Sequence, residues 1–116
     1  MQMQVIEASG SYTHIALDGR LDFAGTQEIE TQFTAKIAAQ RKDAMIDMTQ
    51  VSFIASMGMR LILSTAKALG QHQHRMLLVN PQPMVREALS ITGICKIVPI
   101  VDSVDDAKAQ LAPAGN

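Results

Sequence analysis

The residues best placed to do chemistry lie at one junction, Ile54-Ala55-Ser56-Met57-Gly58. A short apolar run precedes it and a helical repeat follows it. Ser56 falls where a buried strand should give way to an amphipathic helix. A serine at that point can act as an N-cap, because its side-chain oxygen accepts from a free N–H of the first turn. The same helix end favours negative charge through its exposed N–H groups and the helix dipole. A phosphoryl group on Ser56 would therefore suit the local backbone. By residue type alone, capping is sufficient to explain this serine.

Other candidate groups are weaker. His72 and His74 are one residue apart with no third ligand nearby, which fits a solvated loop better than a metal site. His14 is expected on a surface or over an edge. Cys95 is the one cysteine and sits among Ile94 and Ile97, so it is expected to be buried. No Ser/Cys-His-acid arrangement, metal-ligand spacing or glycine-rich phosphate loop is visible, and the chain is not expected to be an enzyme. A receiver domain would need a lysine closing a late strand; Lys96 instead opens one. No cofactor and no metal are expected.

Composition narrows the class further. The chain has 116 residues, 47% hydrophobic and 18% charged, which fits one folded domain and not a disordered segment. Net charge is −1 with no basic run, so neither nucleic acid nor an anionic membrane is an expected partner. A single cysteine excludes an internal disulfide and suits a reducing cytoplasm. No signal peptide and no stretch of ~20 apolar residues is present.

The elements that must position Ser56 follow from periodicity and punctuation. Residues 5–8 and 12–17 read as a hairpin turning at Ser9-Gly10. Residues 18–25 read as a loop. Thr26 is the expected N-cap of a helix with Glu28 and Glu30 in its first turn and Ile29, Phe33 and Ile37 facing inward. Residues 44–48 read as a central strand, with Phe53 and Ile54 packing the loop after it. The next helix runs from Ser56 to about Leu69, with Met59, Ile62, Leu63, Ala66 and Leu69 as its apolar stripe and Gly70 as its stop. A strand over 75–79, a helix from Pro83 to Gly93, a strand over 96–101 and a helix over 104–111 complete the chain. Pro99 argues for an edge position in the last strand. Ser103 is expected to cap the last helix, and 112–116 to fray. The order ββαβαβαβα implies an α/β fold with a mixed sheet: an opening hairpin, then parallel strands joined by right-handed crossovers.

Two segments carry a resemblance. Gly19-Arg20-Leu21-Asp22 resembles the G-x-L-D segment of STAS domains, and Asp47-Met48-Thr49-x-Val51-x-Phe53-Ile54-Ala55-Ser56-Met57-Gly58-Met59 resembles their D-L-S-x-V-x-x-[IM]-D-S-[ST]-G-[LI] signature. The order of elements matches over nearly the whole chain. The resemblance implies a single STAS domain acting as a stand-alone anti-sigma factor antagonist in the cytoplasm. It implies phosphorylation of Ser56 by an anti-sigma factor with serine kinase activity, reversal by a serine phosphatase, and weaker binding of the phosphorylated form. The surface it implies for the partner comprises Asp22, Phe23, Ile54, Ala55, Ser56, Met57, Gly58 and Arg60. Gly58 is expected to let the partner approach the backbone, and Arg60 to stand within reach of the phosphate. Ala55 replaces the acid that often precedes the family serine, and Met57 replaces a second hydroxyl. Two other readings are a non-phosphorylated subunit of a larger assembly such as a lipid transporter, and a small-ligand-binding domain.

Overall fold

The computed structural model describes residues 1–7 and 10–111. Ala8 of the expected first strand, Ser9 of the expected turn and the expected frayed tail, 112–116, lie outside the described residues. The elements run β1 (Gln2–Glu7), β2 (Tyr12–Leu21), α1 (Phe23–Ile37), β3 (Asp43–Ile54), α2 (Ser56–Gly70), β4 (Met76–Val79), α3 (Pro83–Ile91), a 3-10 turn (Ile94–Lys96), β5 (Ile100–Val101) and α4 (Val104–Leu111). The sheet order is β1-β2-β3-β4-β5. β1 pairs antiparallel with β2; every later pair is parallel. The expected mixed α/β sheet with four α-helices is what forms.

Side-chain alternation along the strands sorts the core into two layers. Ile15, Leu17, Ile46, Met48 and Leu78 pack against Ile29 and Phe33 of α1, Leu61 and Ile62 of α2, and Val85 and Leu89 of α3. Met45, Leu77, Val79 and Val101 face the other way, against Ala107 and Leu111 of α4. A β-strand whose two faces are both covered reads as a continuous apolar run, which is why 44–48 and 76–79 carry so little polar alternation.

Several expectations are corrected. Residues 18–25 are not a loop: β2 continues to Leu21 and α1 starts at Phe23. Gly19, at φ +124°, and register shifts against β3 on either side of Asp18 and Gly19 let the strand continue through a glycine-containing stretch. Phe53 and Ile54 likewise belong to β3, not to a loop. The cap of α1 is Asp22, whose Oδ1 accepts from the Gly25 N–H at 2.8 Å, and not Thr26, which is buried. The first turn of α1 therefore holds no acid, and Glu28 and Glu30 fall beyond it. The buried stripe of α2 is rotated slightly, with Leu61 and Thr65 inside. Gly70 is the last helical residue, and the left-handed conformation comes later, at Gln73. The last strand shrinks to Ile100–Val101 behind a 3-10 turn. Pro99 has no N–H to give; only its carbonyl joins β4, accepting from the Leu78 N–H at 2.9 Å. β5 is an edge strand, as its proline suggests.

Two reactive side chains also sit differently. His14 is buried, not superficial, because β2 is an interior strand flanked by β1 and β3. Cys95 is half-exposed, with Sγ 3.9 Å from the Ser90 hydroxyl. Ser103 does cap α4: its hydroxyl accepts from the Asp106 N–H at 3.0 Å.

Candidate functional site

Leu21 and Ile54 are register partners at the ends of the parallel strands β2 and β3. Each strand then turns at once into a helix, α1 at Phe23 and α2 at Ser56. Adjacent strands lie about 4.8 Å apart. The two sequence segments around Asp22 and Ser56 are thus brought side by side at one end of the sheet.

The corner is locked by backbone. Leu21 O accepts from the Ala55 N–H at 2.9 Å, and Ala55 O accepts from the Met59 N–H at 3.0 Å as the first bond of α2. Ala55, at φ −114° and ψ 178°, is the residue in the N-cap position. Ser56 is therefore not the cap, as expected above, but the first residue inside the helix. The cap has no side-chain acceptor, so the opening amides of α2 are left free of one. Ser56 is exposed, and its hydroxyl bonds to none of the described residues.

Gly58 has an inward reason to be glycine. A Cβ there would stand 2.9 Å from both the Leu21 carbonyl oxygen and Leu21 Cβ, and 3.3 Å from Ile54 Cγ1. Gly58 and Ile54 are buried beneath the corner, while Ser56, Phe23 and Arg60 are exposed and Ala55, Met57 and Asp22 are half-exposed. Phe23, 58% exposed, is an aromatic ring at the start of the neighbouring helix α1. Arg60 lies one turn into α2, about 6 Å along the axis from Ser56. Gly25 closes the other half of the corner: a Cβ there would lie 1.9 Å from the Arg20 carbonyl oxygen.

Electrostatics favour fixed geometry here. The Gly25 N–H holds the Asp22 carboxyl below the usual carboxylate range; slight desolvation opposes this and the Arg20 guanidinium adds to it. Arg20 Nε is 3.4 Å from Asp22 Oδ2, and the same guanidinium stacks over Phe53 at 4.4 Å from the ring centroid. Asp47 Oδ1 accepts from both the N–H and the hydroxyl of Thr49, at 2.9 and 2.6 Å. Gln82, the residue before α3, donates from Nε2 to Thr49 O at 2.9 Å, tying the entry of α3 to β3. The Asp47-x-Thr49 spacing is thus a backbone staple. The capping role of Asp22 and the staple by Gln82 are the site features sequence reasoning missed. An acid three residues ahead of a glycine was the available signal for the first.

Among the described residues no group of three His, Cys, Asp or Glu side chains could hold a metal. None of the described helices is long and apolar enough to cross a membrane. The corner presents a hydroxyl, an aromatic ring and free helix amides on a rigid base.

The STAS domain profile matches residues 3–107. The chain belongs to the STAS family. Among relatives of this STAS domain, BtrV of Bordetella bronchiseptica, to which the role of anti-sigma factor antagonist is ascribed, is 30% identical over 98 residues, 84% of each chain. A STAS domain protein from Planctomyces limnophilus, described as an anti-sigma-factor antagonist, superposes with a TM-score of 0.84 at 23% identity, over 95% of this chain and 97% of that one. The Bacillus protein SpoIIAA superposes at 0.70 in both its unphosphorylated form (20% identity, 94% of this chain, 96% of that one) and its phosphorylated form (21%, 94% and 98%). At these identities the superpositions speak for the fold.

Proposed function

We propose that this STAS domain is an anti-sigma factor antagonist that works by binding, not catalysis, and is switched by phosphorylation of Ser56. The observation that carries the reading is the Ser56 hydroxyl, exposed and bonded to none of the described residues, at the start of a helix whose cap position is an alanine. The names of the relatives support the role, and SpoIIAA exists in a phosphorylated form. In the unmodified state, Ser56, Met57 and Phe23 offer a small uncharged contact to an anti-sigma factor in the cytoplasm, releasing that factor's own target.

The same partner acts as the serine kinase. The γ-phosphoryl group of ATP passes to Ser56 Oγ, the hydroxyl proton goes to a base of the kinase, and ADP departs with the electrons of the broken P–O bond. The product carries about −1.5 to −2 charge and three acceptor oxygens. The free amides of α2 and the nearby Arg60 accommodate that charge within the domain. The partner surface, shaped for a hydroxyl, does not. A hundredfold to thousandfold weaker complex needs about 3–4 kcal/mol, within reach of steric exclusion and charge burial at a desolvated contact. A serine phosphatase restores the binding form.

The test is a comparison of Ser56→Ala and Ser56→Asp. Ser56→Ala should keep partner binding and lose phosphate incorporation from ATP. Ser56→Asp should weaken binding while its melting temperature stays within a degree or two of wild type. Equal affinity of the two variants would remove the switch.

A further inference from the structure

On the face of the sheet that carries α4 lies a histidine that the corner around Ser56 does not use. His14 is only 8% exposed, and its Nε2 has no hydrogen-bond partner among the described residues. It is the third residue of β2, between register partners Glu7 on β1 and Met45 on β3. Alternation puts it on the same face as Tyr12. Both Met45 and Tyr12 belong to the layer that packs on Ala107 and Leu111 of α4.

We propose that His14 makes the seating of α4 dependent on pH: the neutral imidazole keeps α4 closed on the sheet, and protonation loosens it and uncovers the apolar strip Met45, Leu77, Val79 and Val101. A buried imidazolium must be paired to be tolerated. The charged groups facing His14 are Asp47 from β3, Lys108 from α4 and Glu7 from β1. Asp47 Oδ1 is already engaged by Thr49. Lys108 repels a proton on the ring. Burial is the largest influence and lowers the imidazole below its ordinary 6.5; Asp47 and Glu7 oppose this and Lys108 adds to it.

The sign follows from that direction. The closed form prefers neutral His14, so its support for closure is complete above 6.5. That support is lost as pH falls below 6.5 through the lowered value. α4 is the element able to respond. It has eight residues and two buried side chains, and helices this short hold only through their packing.

The experiment is amide hydrogen exchange by NMR on the full chain from pH 7.5 to 5.0, with the His14 ring titrated in the same samples. Protection factors for residues 107–111 should fall as His14 protonates, while those of α1 and α2 hold. In His14→Gln the α4 protection should lose its pH dependence. Lys108→Met, which leaves the buried core untouched, should move the ring's midpoint and the loss of protection together to higher pH. Protection that stays constant while the ring titrates, an unchanged fall in His14→Gln, or a Lys108→Met midpoint that does not move would each overturn the proposal.

Discussion

Gly58→Ala tests the architecture of the corner directly. The added Cβ would stand 2.9 Å from Leu21 O and from Leu21 Cβ. Carbon contacts relax at about 3.5–4.0 Å, so the start of α2 must move by about half an ångström or more. It cannot do so freely, because Leu21 O also accepts from the Ala55 N–H at 2.9 Å. Overpacking of this kind costs about 1–3 kcal/mol, and contact with rigid backbone puts Gly58 in the upper half of that range. Alanine recovers about 1 kcal/mol in helix propensity. The expected net loss is about 1–2 kcal/mol, read as a lower urea midpoint at unchanged slope, with a fall in Tm of roughly 4 °C or more. Gly70→Ala is the internal control. It lies in the same helix, and its new Cβ meets nothing within 4 Å. It should gain about 0.5–1 kcal/mol. A Gly58→Ala protein as stable as wild type would refute the packing argument and return the glycine to a role in partner approach.

Two further outcomes are expected from the same geometry. Ala55→Asp places an acceptor in the one N-cap position of the corner that lacks a side-chain bond, and should raise stability by about 1 kcal/mol in thermal or urea melts; it should also compete with the Ser56 phosphate for the α2 amides. Asp22 has its carboxyl held low in the folded state, so its contribution is present above the ordinary carboxylate range and lost as pH falls through the lowered value. Asp22→Asn, followed by Tm against pH, should lower the neutral plateau, converge with wild type in acid and so flatten the acid limb of the stability profile.

The helical stripes of α1 and α2 and the buried runs at 44–48 and 76–79 were legible because one period dominates each of them. The strand ends at Leu21 and Ile54 were not, because β2 and β3 continue through glycine and polar residues by shifting register, and a shifted register destroys the period that identifies a strand. Cap positions were off by one at Ser56 and by four at Thr26. Serine and threonine have the chemistry of a cap wherever they fall near a helix start, and only the backbone decides which residue is extended. His14 was misplaced for a tertiary reason: β1 folds back on one side of β2 and β3 lies on the other, so no local pattern reports that its ring is covered.

The corner's stability derives from groups other than the serine side chain. Leu21 O, the Ala55 backbone, the missing Cβ of Gly58 and the Asp22–Gly25 cap fix the two helix starts, and the Ser56 hydroxyl enters none of these contacts. A side chain that the fold does not use can change charge without changing the fold. Had Ser56 been the cap, as its residue type suggests, esterifying its oxygen would have altered the bond that starts the helix. With Ala55 in that position, the opening amides of α2 remain open to an anion, and the proposed phosphate on Ser56 would meet a favourable end of the helix dipole. The placement of the cap at residue 55 therefore separates holding the helix, which the backbone does, from carrying the proposed signal, which would fall to Ser56.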